Sequence, residues 1–167
     1  MIGNRYEKEF IAAIKTDVNS IEGVRGCYDL ILNSYGHNKN IGSLHIGVND
    51  DLTAKQIQAI ETKITTLLYE KYNTIITVGI YAENMSDEAS RRVFESVLKV
   101  IKAFPHVLQI HGFYLDEESK KIRFDLVVSF DDPAPMETIR AIKEETETLN
   151  EGYTAFVQYD QDFSLSE

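Results

Sequence analysis

The sequence is poor in the residues on which several classes of protein depend. Its 167 residues include one cysteine, Cys27, and no tryptophan. A single cysteine cannot form an intrachain disulfide or a CxxC metal site, and such scarcity is typical of a reducing compartment. The sequence has no run of about 18 apolar residues and no apolar N-terminal segment of the signal-peptide type. We therefore expect the chain as given to be soluble.

Basic residues are also scarce, and the imbalance is uneven along the chain. The formal net charge is −10. Residues 84–167 carry 9 Lys and Arg against 17 Asp and Glu, whereas residues 1–83 carry 8 against 10. An acidic surface is repelled by nucleic-acid phosphate and anionic lipid, and it attracts cations and basic partners. We expect no nucleic-acid partner.

The common catalytic motifs are missing as well. The sequence contains no P-loop, no GxGxxG and no nucleophile elbow. It also lacks a Ser/His or Cys/His pair in a recognisable catalytic spacing. The prediction is that the protein is not an enzyme.

What the sequence does contain is an internal repeat of roughly 80 residues. VRGCYDLILN, residues 24–33, is similar to VLQIHGFYLD, residues 107–116. Apolar periodicity, turn residues and caps predict the same order of elements twice. The first repeat has a helix over 4–20, strands over 24–35 and 41–48, a helix with a Thr53–Gln56 capping box, and a strand over 74–82. The second has a helix capped by Ser86, strands over 107–115 and 121–130, a helix over 135–149 and a strand over 154–160.

These patterns predict an α+β protein of two tandem αββαβ units, residues 1–84 and 85–167. A right-handed crossover should make the third strand of each unit parallel to the second. Each unit would then be a three-stranded mixed sheet with helices on one face.

Alternation along the strands identifies candidate ligands on the other face. The apolar face of KIRFDLVVSF is formed by Ile122, Phe124, Leu126, Val128 and Phe130. Asp125 then points away from the helices, and Gln158 shares a face with Asp160. Should His111 join that face, it can converge with Asp125 and Asp160 from three strands. One imidazole and two carboxylates are suitable ligands for zinc or manganese, with Gln158 near enough to assist. Each such residue taken alone is more often a packed or solvated side chain.

The equivalent positions of the first repeat are weaker. Aligning the repeats places Tyr28 on His111, His45 on Asp125 and Glu83 on Asp160. Only His45 and Glu83 remain as good ligands there. The second repeat is therefore the preferred metal site.

The first repeat also resembles a known family. The stretch GVRGCYDLILNSYGHNKNIGSLHIGVNDDLTAKQIQAIETKI resembles the C-terminal cytoplasmic domain of cation diffusion facilitator transporters. The shared pattern is a Tyr-Asp-Leu strand, a Tyr-Gly hairpin turn, a Leu-His-Ile strand and an acidic loop before a helix. The resemblance extends over residues 85–167 to bacterial members with an appended second copy, in which HGFY and IRFD recur.

The resemblance implies a ferredoxin-like, metallochaperone-like fold for each unit, together with a function and a location. It implies a homodimer that forms the cytosolic dimerisation and metal-sensing region of a divalent-metal/proton antiporter. The partner would be the N-terminal transmembrane domain of the same full-length chain, at the cytoplasmic side of the membrane, and this chain would be a fragment. The carried-over metal ligands are His111, Asp125 and Asp160 in the second copy, and His45 and Glu83 in the first. Two alternatives stay open, a free-standing small-molecule sensor similar to ACT domains and a purely structural dimerisation module.

Overall fold

A computed structural model describes residues 3–84 and 86–160, and the side chains from residue 8 onward. The chain forms two compact units, which divide after Tyr81. The first contains α1 (Gly3–Asn19), β1 (Gly26–Ser34), β2 (Asn40–Asn49), α2 (Ala54–Tyr72) and β3 (Thr74–Glu83). The second contains α3 (Glu88–Ile101), β4 (Val107–Asp116), β5 (Lys121–Val128), α4 (Pro135–Leu149) and β6 (Thr154–Asp160). The predicted α+β class and the twofold αββαβ order are confirmed.

Each unit has one three-stranded sheet, in the order β1-β2-β3 or β4-β5-β6. In the second unit β5 lies antiparallel to β4 and parallel to β6, with α4 as the crossover. In the first unit β2 likewise lies antiparallel to β1. The middle strand of each sheet, β2 or β5, therefore pairs with both strands that carry the other candidate ligands.

Each unit has its own apolar core, formed between the helices and one face of the sheet. In the second unit the predicted alternation along β5 is confirmed, since Ile122, Phe124, Leu126 and Val128 are all buried. Phe130 was wrongly predicted on this face, because β5 ends at Val128 and Phe130 is 59% exposed. In the first unit Leu44, Ile46 and Val48 of β2 pack with residues of α1 and α2.

The helix caps illustrate how polar side chains set element boundaries. The Thr53–Gln56 capping box is present as predicted, with both reciprocal hydrogen bonds. The prediction of Ser86 as the cap of α3 was wrong. Asp87 is the cap, and its carboxylate accepts the backbone N–H of Ser90 at 2.6 Å. A carboxylate is favoured there because it meets the positive end of the helix dipole.

One polar cluster ties the end of α1 to the end of α2. Asp17 Oδ2 accepts hydrogen bonds from Lys71 Nζ at 2.7 Å and from the Tyr72 hydroxyl at 2.5 Å. The hydrogen bond from Lys71, followed by that from Tyr72, lowers the pKa of the Asp17 carboxyl. The ionised carboxylate therefore stabilises the folded first unit.

This cluster predicts a pH dependence of stability. Because the folded pKa of Asp17 is depressed, its contribution is present above the ordinary aspartate value of about 3.9 and is lost as pH falls through the folded pKa. We expect the gap in thermal midpoint between the wild type and Asp17→Asn to shrink as the pH is lowered from about 6 to about 3. Asp51→Asn removes the same charge from an exposed loop and should show no such trend. A gap for Asp17→Asn that stays constant with pH would contradict the assignment.

Within the described residues, no helix has the length and hydropathy needed to cross a bilayer.

Candidate metal centre

A β-bulge in β4 determines where the His111 side chain points. Strict alternation would place His111 on the core face with Phe113, but the pairing register shifts between His111 and Tyr114. Gly112, at the bulge, has a φ of 62°. Ile110 and Phe113 therefore both pack against the core, while His111 faces the other way, directly across from Asp125.

Three side chains from three strands converge at this point. His111 Nε2 lies 3.7 Å from Asp125 Oδ2 and 3.4 Å from Asp160 Oδ2. Two ligand atoms on one tetrahedral ion, each about 2.1 Å from it, lie about 3.4 Å apart. The separations in the structure match that spacing. The structure thus brings the His111 imidazole close to each of the two carboxylates, at separations that two ligands of one small divalent cation can have.

The burial of this cluster differs from what alternation alone predicts. His111 is only 6% exposed and Asp125 only 2%. The Asp160 side chain, at 27%, is the more accessible member. Sequence periodicity shows that the group faces away from the helices, but it does not show how deeply it lies. Burial makes an anionic pair costly unless positive charge or hydrogen bonds compensate it.

Gln158 lies beside the cluster, although its orientation differs from that of a ligand. It is the register partner of Asp125 on β6. Its Oε1 accepts a hydrogen bond from Arg123 Nη2 at 3.3 Å. The amide oxygen is therefore directed toward Arg123, so its predicted assistance to a metal would require the side chain to turn.

The first unit has a different polar cluster at the equivalent place. His45 Nδ1 lies 3.1 Å from Asp29 Oδ2, and the Tyr81 hydroxyl donates to the same oxygen at 2.6 Å. The His45 ring stacks on Tyr81 with centroids 4.5 Å apart. Within the described part of the chain, His45 lies beside Asp29, whereas Glu83 is at the end of β3. That His45 and Glu83 are metal ligands stays a prediction.

Asp29 was missed by sequence reasoning. It has a φ of 56° and lies at a register shift between Tyr28 and Ile31, which is the same bulge that Gly112 forms in β4. The aligned repeats offered one signal, since a glycine inside a strand pattern often marks a bulge. At a bulge the side chain leaves the regular alternation, which is why Asp29 reaches His45.

The comparisons with known proteins identify the class of the first unit. Residues 6–84 match the family model described as "Cation efflux protein, cytoplasmic domain". This range contains every strand of the first unit and both of its helices except the first residues of α1. The first unit therefore belongs to the family of cation efflux protein cytoplasmic domains. A search of curated proteins finds no match.

Solved structures similar to the chain include several variants of MamM-CTD. One double variant shares 20% identity with a TM-score of 0.44, covering 48% of this chain and 98% of that one. A variant described as a nickel form shares 20% identity with a TM-score of 0.42, covering 46% and 99%. A third shares 22% identity with a TM-score of 0.42, covering 48% and 87%.

Proposed function

We propose that the chain is the cytosolic dimerisation and metal-responsive part of a cation diffusion facilitator, a transporter that exchanges divalent metal for protons. Its partners would be a second copy of itself and an N-terminal transmembrane domain in the same full-length protein, at the cytoplasmic face of the membrane. The observation that supports the metal-responsive role is the convergence of His111, Asp125 and Asp160 at 3.4 and 3.7 Å. The family of the first unit supports the transport role.

The second unit is the proposed metal-binding unit. Asp125 and Asp160 lie on adjacent strands, so their negative charges repel each other, and that of the buried Asp125 is poorly solvated. A bound divalent ion, zinc or manganese, supplies the positive charge that offsets this repulsion. The neutral His111 imidazole contributes a lone pair from β4, so that binding joins all three strands. The free energy of binding is then also free energy of ordering in this sheet.

A response of the transporter would follow from differential affinity. If the arrangement of two protomers that favours transport also binds metal more tightly, rising cytosolic metal shifts the population toward it. The coupling cannot exceed the difference in binding free energy between the two arrangements. The first unit, which belongs to the cation efflux family, is the proposed site of self-association.

Calorimetric titration with zinc and with manganese tests the assignment. We expect His111→Ala and Asp125→Ala to lose most of the wild-type binding, since each removes one of three ligands. His45→Ala is the matched control, because it truncates the first-unit histidine that aligns with Asp125 and should leave binding nearly intact. Binding that survives His111→Ala but disappears in His45→Ala would place the functional site in the first unit. Absence of any zinc or manganese binding by the wild type would reject the metal-responsive role.

A further inference from the structure

Arg123 lies beside the metal centre on the same face of the second sheet. It precedes Asp125 by two positions on β5, so the two side chains project on the same side about 7 Å apart along the strand. Its register partners are Tyr114 on β4 and Phe156 on β6. The guanidinium carbon lies 5.5 Å from the centroid of the Phe156 ring. Tyr114 is 50% exposed and Phe156 59%, so the row is accessible to a small ligand.

Among the residues that the structure describes, no carboxylate forms an ion pair with the guanidinium of Arg123. Across residues 3–84 and 86–160, its hydrogen bond is to the neutral amide oxygen of Gln158, and it forms no ion pair. The lack of an ion pair at Arg123 within the described part of the chain is notable because the chain has 27 acidic residues and only 17 basic ones. An arginine carries five N–H donors in a planar arrangement that matches the oxygens of carboxylate or phosphate. Arg123 is exposed, and the hydrogen bond to Gln158 uses one of these donors.

The charges of the metal centre indicate what would bind there. Counting the groups of the second unit alone, a divalent ion with neutral His111 and the carboxylates of Asp125 and Asp160 sums to zero, and the Arg123 guanidinium adds one positive charge on the same face. Three protein ligands also leave at least one coordination position open. A water molecule would fill that position without compensating the guanidinium, whereas an oxyanion would do both.

We propose that Arg123 forms an anion subsite at which a small oxyanion, phosphate or carboxylate, binds the guanidinium and the metal together. The inference rests on the proposed function, because the anion is held in part by the ion at His111, Asp125 and Asp160. Gln158 is the positioning residue of this subsite, since it holds the guanidinium on the side of Asp125. The second unit would then respond to metal and anion together, each raising the affinity for the other.

The test is calorimetric titration in buffer with acetate, with inorganic phosphate, or with neither. The metal is zinc or manganese, whichever the wild type binds more tightly without added anion. We expect at least one anion to tighten wild-type metal binding about tenfold, a typical effect of one charge-assisted contact. Arg123→Gln should abolish this gain. Its metal affinity should then fall slightly with added anion, because the free anion competes for metal in solution.

Lys121→Gln is the matched control. It removes the same charge from the same strand and face, but one row further from Asp125, and it should keep the gain. If only acetate or only phosphate tightens metal binding, that result identifies the class of oxyanion. No gain with either anion, or an equal gain in Arg123→Gln, would overturn the subsite while leaving the metal centre intact. Failure of the wild type to bind metal in anion-free buffer would overturn the proposed function, and the subsite with it.

Discussion

Truncating Phe124 to alanine is expected to destabilise the second unit by about 3–5 kcal/mol, the usual range for a buried phenylalanine. Phe124 is 0% exposed and lies in the core cluster between α3, α4 and the sheet. The lost contacts and the cavity left behind both contribute, because a packed interior relaxes only partly around a void. Hydrogen exchange is the measurement, since the most protected amides of β4 to β6 should exchange much faster.

Phe156→Ala provides the comparison. It makes the same truncation on the adjacent strand, but Phe156 is 59% exposed and faces away from the core. We expect it to cost less than about 1 kcal/mol. The core amides of the first unit should keep their protection in both variants, because that unit has a separate cluster of buried residues. Equal effects of the two truncations would show that the core is not the one described.

Much of this fold follows from periodicity, and the exceptions have local causes. The apolar stripe of α3 and the alternation of β5 are both recoverable from spacing, because one face of each element is buried. The residue at which a strand ends is harder to predict from the sequence. Phe130 continues the alternation of β5 in the sequence, yet the strand ends two residues earlier. At Ser86 and Asp87 both residue types cap helices, so composition alone does not decide which one does so.

The sequence predicted which carboxylates lie near His111, but not the backbone geometry that brings them there. Asp125 and Asp160 follow from the pairing of regular strands. The face on which His111 lies depends on the bulge at Gly112, which inserts an extra residue into the pairing and is not visible in a strict period of two. The same effect concealed Asp29, because its position in the strand pattern gave no reason to place it beside His45.

Replacing Gly112 is therefore expected to impair the metal centre without touching any ligand. Its φ of 62° lies in the left-handed region, where a residue with a Cβ costs about 1–2 kcal/mol. Gly112→Ala can relieve this strain by removing the bulge, and that change would turn His111 toward the core face. We expect zinc or manganese affinity to fall by on the order of tenfold or more, as when a group that orients a ligand is lost. Calorimetric titration, paired with a thermal midpoint for each variant, measures both effects.

Two further variants separate backbone strain from the position of His111. Gly152, in the turn before β6, has a φ of 87° and open space where a Cβ would lie, so Gly152→Ala should cost similar stability and leave metal affinity unchanged. Gly112→Asn should bind metal better than Gly112→Ala, because asparagine and aspartate adopt the left-handed region more readily. Asp29 does so at the same bulge in the first unit, with a φ of 56°. If Gly112→Ala bound metal as tightly as the wild type, the bulge would not be what directs His111 toward Asp125 and Asp160.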